Sequence, residues 1–234
     1  MYFGANRVLK SVKYGDDMFP ISGELSYADS AKLFVALKTT GGITPDVTGA
    51  ETFGTVVSLN ESSVRPGLLY AGTDDGRVWL TRTDGAQWEE VTKNFTGVPA
   101  GSYVSRIEPS HFDSATFYVT FDNHRNDDYT PYVFMTTNFG RTFTSIVNNL
   151  PTGQTDFVHV IREDPKNQDL LFVGTDVGAY VSIDRGQSWQ RFMSGLGTTP
   201  VHDLIIHPRD GELIAGTHGR SIWIADITPL QQMT

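Results

Sequence analysis

Apolar and polar stretches alternate along this chain in short runs, and the alternation recurs. Apolar runs at residues 69–73 (LYAGT), 171–175 (LFVGT) and 213–217 (LIAGT) are each followed by a Gly-bearing turn and a second apolar run. Runs of four to six residues bounded by Gly are too short for helices and read as strands. A further run precedes each pair and ends at a proline, at residues 104–109, 158–165 and 201–208. One unit therefore reads strand a, strand b, a short turn, strand c, a polar hairpin and strand d.

The polar hairpins carry the strongest repeat. Residues 182–189 read SIDRGQSW, residues 136–143 read TTNFGRTF and residues 81–88 read TRTDGAQW. The shared form is Ser/Thr-x-Asp-x-Gly-x-Ser/Thr-aromatic. Its closing residues, Trp88, Phe143 and Trp189, are 55 and 46 residues apart, the period of propeller blades. The octet is a folding device. A hydroxyl and a carboxylate or amide hold the turn by bonding nearby N–H groups, Gly supplies a positive φ, and the aromatic plugs the space between sheets. Thr81, Gly85 and Trp88, then Thr136, Asn138, Gly140 and Phe143, then Ser182, Asp184, Gly186 and Trp189 are assigned this structural role.

The predicted fold is an all-β propeller of about five four-stranded units in one domain over 1–234. It comprises a partial blade at 1–22, an insertion at 23–51, full blades at 52–92, 103–147 and 157–192, and a partial closing blade at 201–227. Residues 11–18 form a decayed octet, with Lys13 and Met18 in place of Asp and Trp. Residues 29–38, with Leu33 and Leu37 on one face, are the one helix candidate, though a strand is equally compatible. A ring that closes on itself requires residues 3–21 to lie beside 201–225; an open or apolar edge there would indicate a partner or a further part of a propeller.

Composition narrows the chemistry. The absence of cysteine removes thiolate metal sites and cysteine nucleophiles. A net charge of −9 without a basic run argues against nucleic acid and anionic membranes. No apolar stretch approaches a membrane span, and the first residues lack a signal-peptide core.

The octets resemble Asp-boxes, or BNR repeats, found in sialidases, sortilin-type propellers, xyloglucan-active glycosidases and photosystem assembly propellers. More closely, GGIT at 41–44, TGAET at 48–52, GTDDG at 72–76, FDNHRNDDY at 121–129, VIREDP at 160–165 and GTHGR at 216–220 resemble bacterial sortilin-like BNR proteins labelled glycosyl hydrolases. The resemblance covers nearly the whole chain. It implies a propeller, the C-terminal portion of a longer, exported protein, and either a binding or a carbohydrate-active role.

In a propeller the b–c loops share the ligand face. Here they carry Asp74 and Asp75; Asp122, His124, Arg125, Asp127 and Asp128; Asp176; and His218 with Arg220. Asp122, His124, Arg125, Asp127, Asp128, His218 and Arg220 are the candidate ligand residues, because the long 122–131 loop breaks the repeat. Loop bracing is the competing reading for Asp127 and Asp128, turn chemistry for Asp74 and Asp75, and a blade-closing brace for His218 and Arg220. His159 and His202 stand at equivalent places, six residues before a proline, where hydrogen-bonded core histidines are the simpler reading than metal ligands. Glycoside hydrolysis would need two carboxylates about 5–5.5 or 6.5–9.5 Å apart, drawn from Asp74, Asp75, Asp127, Asp128 and Asp176. Residues 122–128 offer oxygens for Ca²⁺ without EF-hand spacing; no other cofactor is indicated. The expected function is non-catalytic recognition of a protein, peptide or glycan, with glycoside hydrolysis as the alternative.

Overall fold

A computed structural model describes residues 1–33, 52–153 and 155–233. The described residues form five antiparallel sheets in chain order. Sheet one holds β1 (Tyr2–Gly4), β2 (Val8–Lys10) and β3 (Phe19–Pro20). Sheet two holds β4 (Val56–Glu61), β5 (Leu69–Thr73), β6 (Val78–Thr81) and β7 (Glu89–Glu90). Sheet three holds β8 (Tyr103–Pro109), β9 (Phe117–Asn123), β10 (Asp128–Thr136) and β11 (Thr144–Ser145). Sheet four holds β12 (Val158–Glu163), β13 (Leu171–Thr175), β14 (Gly178–Ser182) and β15 (Gln190–Arg191). Sheet five holds β16 (Val201–His207), β17 (Glu212–Thr217) and β18 (Ile222–Asp226). Each strand pairs with the next in sequence, so every sheet is a meander. Of the helix expected at 29–38, residues 30–33 are helical; the remainder, with Leu37, lies outside the described residues, as does most of the 23–51 insertion.

The middle strands are covered on both faces, which is why their sequences run apolar instead of alternating. Every residue of β5 and β13 is buried. Tyr70, Val78 and Leu80 of sheet two pack with Ile107, Phe117 and Val119 of sheet three. Tyr118 and Val133 of sheet three pack with Ile161, Val173 and Tyr180 of sheet four. Phe172 and Val181 of sheet four pack with Leu204, Leu213 and Ala215 of sheet five. One face of each sheet thus meets the opposite face of the next. Gly72 and Gly174 mark the closest approaches: a Cβ at Gly72 would strike Val104, and one at Gly174 would lie 2.5 Å from the Val201 carbonyl.

The octets fasten the outer edges. Asp184 accepts from Ser182 Oγ at 2.7 Å and from the Ser188 N–H at 2.8 Å, while Ser182 Oγ accepts from the Gly186 N–H at 2.7 Å. Asn138 plays the same part, accepting from Thr136 Oγ1 and the Thr142 N–H. In the first copy Thr83, not Asp84, accepts from the Gln87 N–H. Asp84 instead reaches back to Lys10 and Tyr2 of sheet one. Trp88 donates Nε1–H to Ile21 O at 2.9 Å, and Trp189 to Ile146 O at 2.8 Å; both carbonyls belong to the preceding unit. Phe143, with no such donor, stacks on Phe95 at 3.8 Å.

Charged side chains join the inner strands. Arg162 binds Glu108 at 2.8 Å and Asp203 at 3.0 Å, and Arg106 binds Asp203 at 2.7 Å. This network spans sheets three, four and five.

The stack leaves two faces uncovered. Leu80, Val181 and Ile224 share one register position, paired with Tyr70, Phe172 and Ile214. Leu80 is 0% exposed and Val181 7%, but Ile224 is 62% exposed, beside Ile222 at 69% and Ile205 at 53%. On sheet one the free side carries Phe3, 56% exposed. Phe3 pairs with Leu9 as Ala71 pairs with Trp79, so the free faces are the two halves of the interface that recurs between sheets. Leu80→Ala is expected to cost about 2–5 kcal/mol in urea unfolding, and Ile224→Ala less than about 1 kcal/mol. Equal losses would mean that Ile224 is covered.

Candidate binding face

One irregularity recurs in the inner strand of every sheet that has one. The register slips between Val56 and Ser58, Val104 and Arg106, Val158 and Val160, and Val201 and Asp203. Each slip is a bulge, which re-aims a side chain. The bulged residues are Val57, Ser105, His159 and His202. Two of them reach the next sheet: Ser105 Oγ donates to Val158 O at 3.0 Å, and the His159 ring lies 4.2 Å from that of His202.

A second set lies at the end of strand b or just beyond it: Asp74, Asp122, Asp176 and His218. The N–H groups of Asp74, Asp176 and His218 are pinned to Thr55 O, Phe157 O and Pro200 O, while Asp122 pairs with Tyr103. The backbone therefore presents two series of side chains on one end of the stack, and the local sequence decides their chemistry.

Around sheets one to three these residues line two adjoining hollows. The larger, about 630 Å³, is bounded by Asn6, Glu24, Ser26, Phe53, Asp74, Tyr103 and Arg125. The smaller, about 340 Å³, shares Phe53, Asp74, Tyr103 and Arg125 and extends to Asp122, Asn123 and Asn126. The Arg125 guanidinium sits 5.3 Å from the centre of the Tyr103 ring. Asp74 accepts N–H bonds from Gly54 at 2.9 Å and Thr55 at 2.8 Å. Burial nevertheless outweighs these bonds and, with Asp75 adding repulsion, pushes its carboxyl up to about 6. Asp75 itself is buried and holds the Tyr27 N–H at 2.6 Å, a purely structural placement.

The long loop divides its residues between two tasks. Asp122 accepts from the His124 N–H at 2.9 Å and contacts His124 Nδ1 at 2.7 Å. Asp128 is a brace, accepting from Asn123 Nδ2, Tyr132 Oη and the Thr130 N–H. Burial opposes its charge, but these bonds prevail and hold its carboxyl below the usual range. Asp127 is exposed and ends the 124–126 turn with a φ of 60°.

Sheets three to five carry a row of rings. His124 stacks on Phe157 at 4.8 Å, Phe157 meets His159 at 4.9 Å edge-on, His159 meets His202 at 4.2 Å, and His202 stacks on His218 at 5.2 Å. His159 Nε2 lies 3.2 Å from Asp176 Oδ1. Burial, aided by the neighbouring His202, holds His159 below the ordinary histidine range. Arg220 is exposed at the turn beyond His218; its carbonyl accepts from Trp223 Nε1 at 2.7 Å.

Sequence reasoning singled out Asp74, Asp122 and Arg125, and the structure gathers them around the smaller hollow. It missed Tyr103 and Phe53 as the apolar walls and Glu24 in the larger hollow. Tyr103 has a readable signal, since it precedes the valine of an inner strand as Phe157 does.

No protein-family model matches the chain, and no curated protein sequence matches it. Solved structures do. The chain is similar to a GH74 xyloglucanase from Xanthomonas campestris, with 18% identity and a TM-score of 0.57 over 73% of this chain and 29% of that one. The fold is that of a β-propeller. The GH74 enzyme of Niastella koreensis is similar at 17% identity and a TM-score of 0.57, covering 73% of this chain and 28% of that one. A chain of the COPII outer coat vertex reaches the same TM-score, 0.57, at 10% identity, over 74% of this chain and 46% of that one. The chain thus spans under a third of the length of the GH74 propellers it matches, and propellers of enzymes and of scaffolds share this fold. Among the described residues no helix is long and apolar enough to cross a membrane.

Asp74 gives a pH signature. Its carboxyl titrates near 6 folded against about 3.9 unfolded, so the native state holds the extra proton between those values. Native stability then falls as pH rises from about 4 to 6, and the cost of the buried charge is complete above 6. Asp74→Asn keeps the acceptor for Gly54 and Thr55. Its stability relative to wild type is expected to rise between pH 4 and 6 and to level off above, with the wild-type carboxyl carbon titrating near 6 by NMR. A pH-independent difference would contradict this.

Proposed function

We propose that this propeller is a non-catalytic recognition module whose ligand, a glycan or an extended peptide, lies along the hollows between sheets one, two and three. What carries the reading is the combination at the wall shared by both hollows. Tyr103 and Phe53 offer flat apolar surface, Arg125 is stacked over Tyr103, and exposed Asn126 offers its amide oxygen. A few oriented polar groups on an aromatic wall suit a polar ligand with weakly apolar faces. Asp74, Asp122 and Asp128 favour binding over catalysis because each already accepts hydrogen bonds from the protein. Asp74 is held by Gly54 and Thr55, Asp122 by His124, and Asp128 by Asn123 and Tyr132. The free faces of the first and last sheets are where the remainder of a propeller or another subunit would pack.

Glycoside hydrolysis is the second reading, favoured by one observation. A carboxyl titrating near 6 in a hollow has the property of a general acid. A glycan array that includes β-glucan and xyloglucan oligosaccharides, run beside a peptide array and a glycosidase substrate screen, separates the two. Binding without turnover is expected. Tyr103→Ala and Arg125→Ala should each weaken it about tenfold, the effect of losing roughly 1.4 kcal/mol of contact. Turnover abolished by Asp74→Asn would establish the hydrolase reading instead, and no binding on either array would sink the recognition reading.

A further inference from the structure

We propose that His159, Asp176 and His202 form a binding site for a divalent transition metal of the zinc type, joining sheets four and five. The site does not depend on the ligand of the Asp74 hollows, because its residues come from β12, the β13–β14 turn and β16.

Three observations carry it. Each residue offers a ligand atom, and these atoms all lie within 4.8 Å of one another. Two imidazoles and a carboxylate suit Zn²⁺, Co²⁺ or Ni²⁺, and not the hard cations that prefer oxygen alone. Among the described residues this is the one convergent group of metal-ligating side chains, and the 122–128 loop expected to offer oxygens to Ca²⁺ is not part of it.

The second observation is how the residues are delivered. His159 and His202 are the bulged residues of adjacent inner strands. The same bulge that turns Ser105 toward sheet four brings one imidazole against the other, with ring centres 4.2 Å apart. Ligands around a tetrahedral zinc ion at about 2.0–2.1 Å stand roughly 3.3 Å apart. His159 Nε2 and Asp176 Oδ1 are already 3.2 Å apart. The remaining closure falls to His202, which is exposed and can turn about its side-chain torsions without disturbing the core.

The third is availability. His202 makes ring contacts but no side-chain hydrogen bond among the described residues. His218 stacks on His202 at 5.2 Å but lies outside the convergent group.

The test is titration of the full chain with Zn²⁺ by calorimetry and with Co²⁺ by visible absorption. The expected result is a single ion per chain, with Co²⁺ giving the visible bands of a nitrogen- and oxygen-ligated ion. His202→Ala and Asp176→Asn should each weaken it by about a hundredfold or more, beyond the 10–100-fold typical of losing a residue behind the ligands. The exposure of His202 makes its variant a safe test of folding, and circular dichroism checks both. His111→Gln and His207→Gln, which remove histidines paired with Glu108 and Asp210, should leave binding unchanged. The proposal is overturned if no ion binds, if binding survives His202→Ala, or if it is lost only in the His111 and His207 variants.

Discussion

Face-to-face packing of neighbouring sheets is the constraint on which everything else in this molecule depends. No sheet here has a core of its own. Tyr70 and Leu80 are buried only because Ile107 and Phe117 lie over them, and Phe172 only because Leu204 does. Stability therefore accumulates interface by interface, as in other repeat architectures. The outer fastenings obey the same rule: Trp88 and Trp189 each donate to a carbonyl of the preceding unit, and a Cβ at Gly186 would lie 2.9 Å from Ile146 across that junction.

This arrangement frees certain positions for function. The bulge after the first valine of each inner strand is made by backbone geometry, so the side chain there need not serve the fold. It is Val57, Ser105, His159 or His202 in successive sheets. The position at the end of strand b varies in the same way, as Asp74, Asp122, Asp176 and His218. Equivalent residues diverge by environment. Asp74 is enclosed by Gly54 and Thr55 and titrates high, whereas Asp176 faces a histidine. Polar chemistry thus follows the repeat around one end of the stack, with a hollow beside sheets one to three and an imidazole row across sheets three to five.

Much of the fold was legible because its signals are local. The Gly-Thr-x-x-Gly turns and the octets act within eight residues, and Ser182, Asp184 and Ser188 make their bonds within that span. Partners that lay elsewhere were not legible. Thr83 stands at the acid's place in the first octet and takes the turn, while Asp84 beside it binds Lys10, 74 residues away. The histidines were legible as equivalent positions, and reading them as ordinary core residues missed that adjacent sheets set them side by side.

The amino-acid sequence by itself determined the strands, the turns and their order, since these follow from hydrophobic runs and from hydroxyl, carboxylate and glycine chemistry within a few residues. It also determined that cysteine chemistry is absent. Only the tertiary structure decided which equivalent residues meet. His159 and His202 are joined by no local bond; the stacking of β12 on β16 brings their bulges together. Phe53, Asp74, Tyr103 and Arg125 likewise become one wall only when separate loops fold over adjoining sheets. Contacts of that kind depend on the angle and spacing between sheets, which are set by the packed side chains of the whole interface and not by any short stretch of chain.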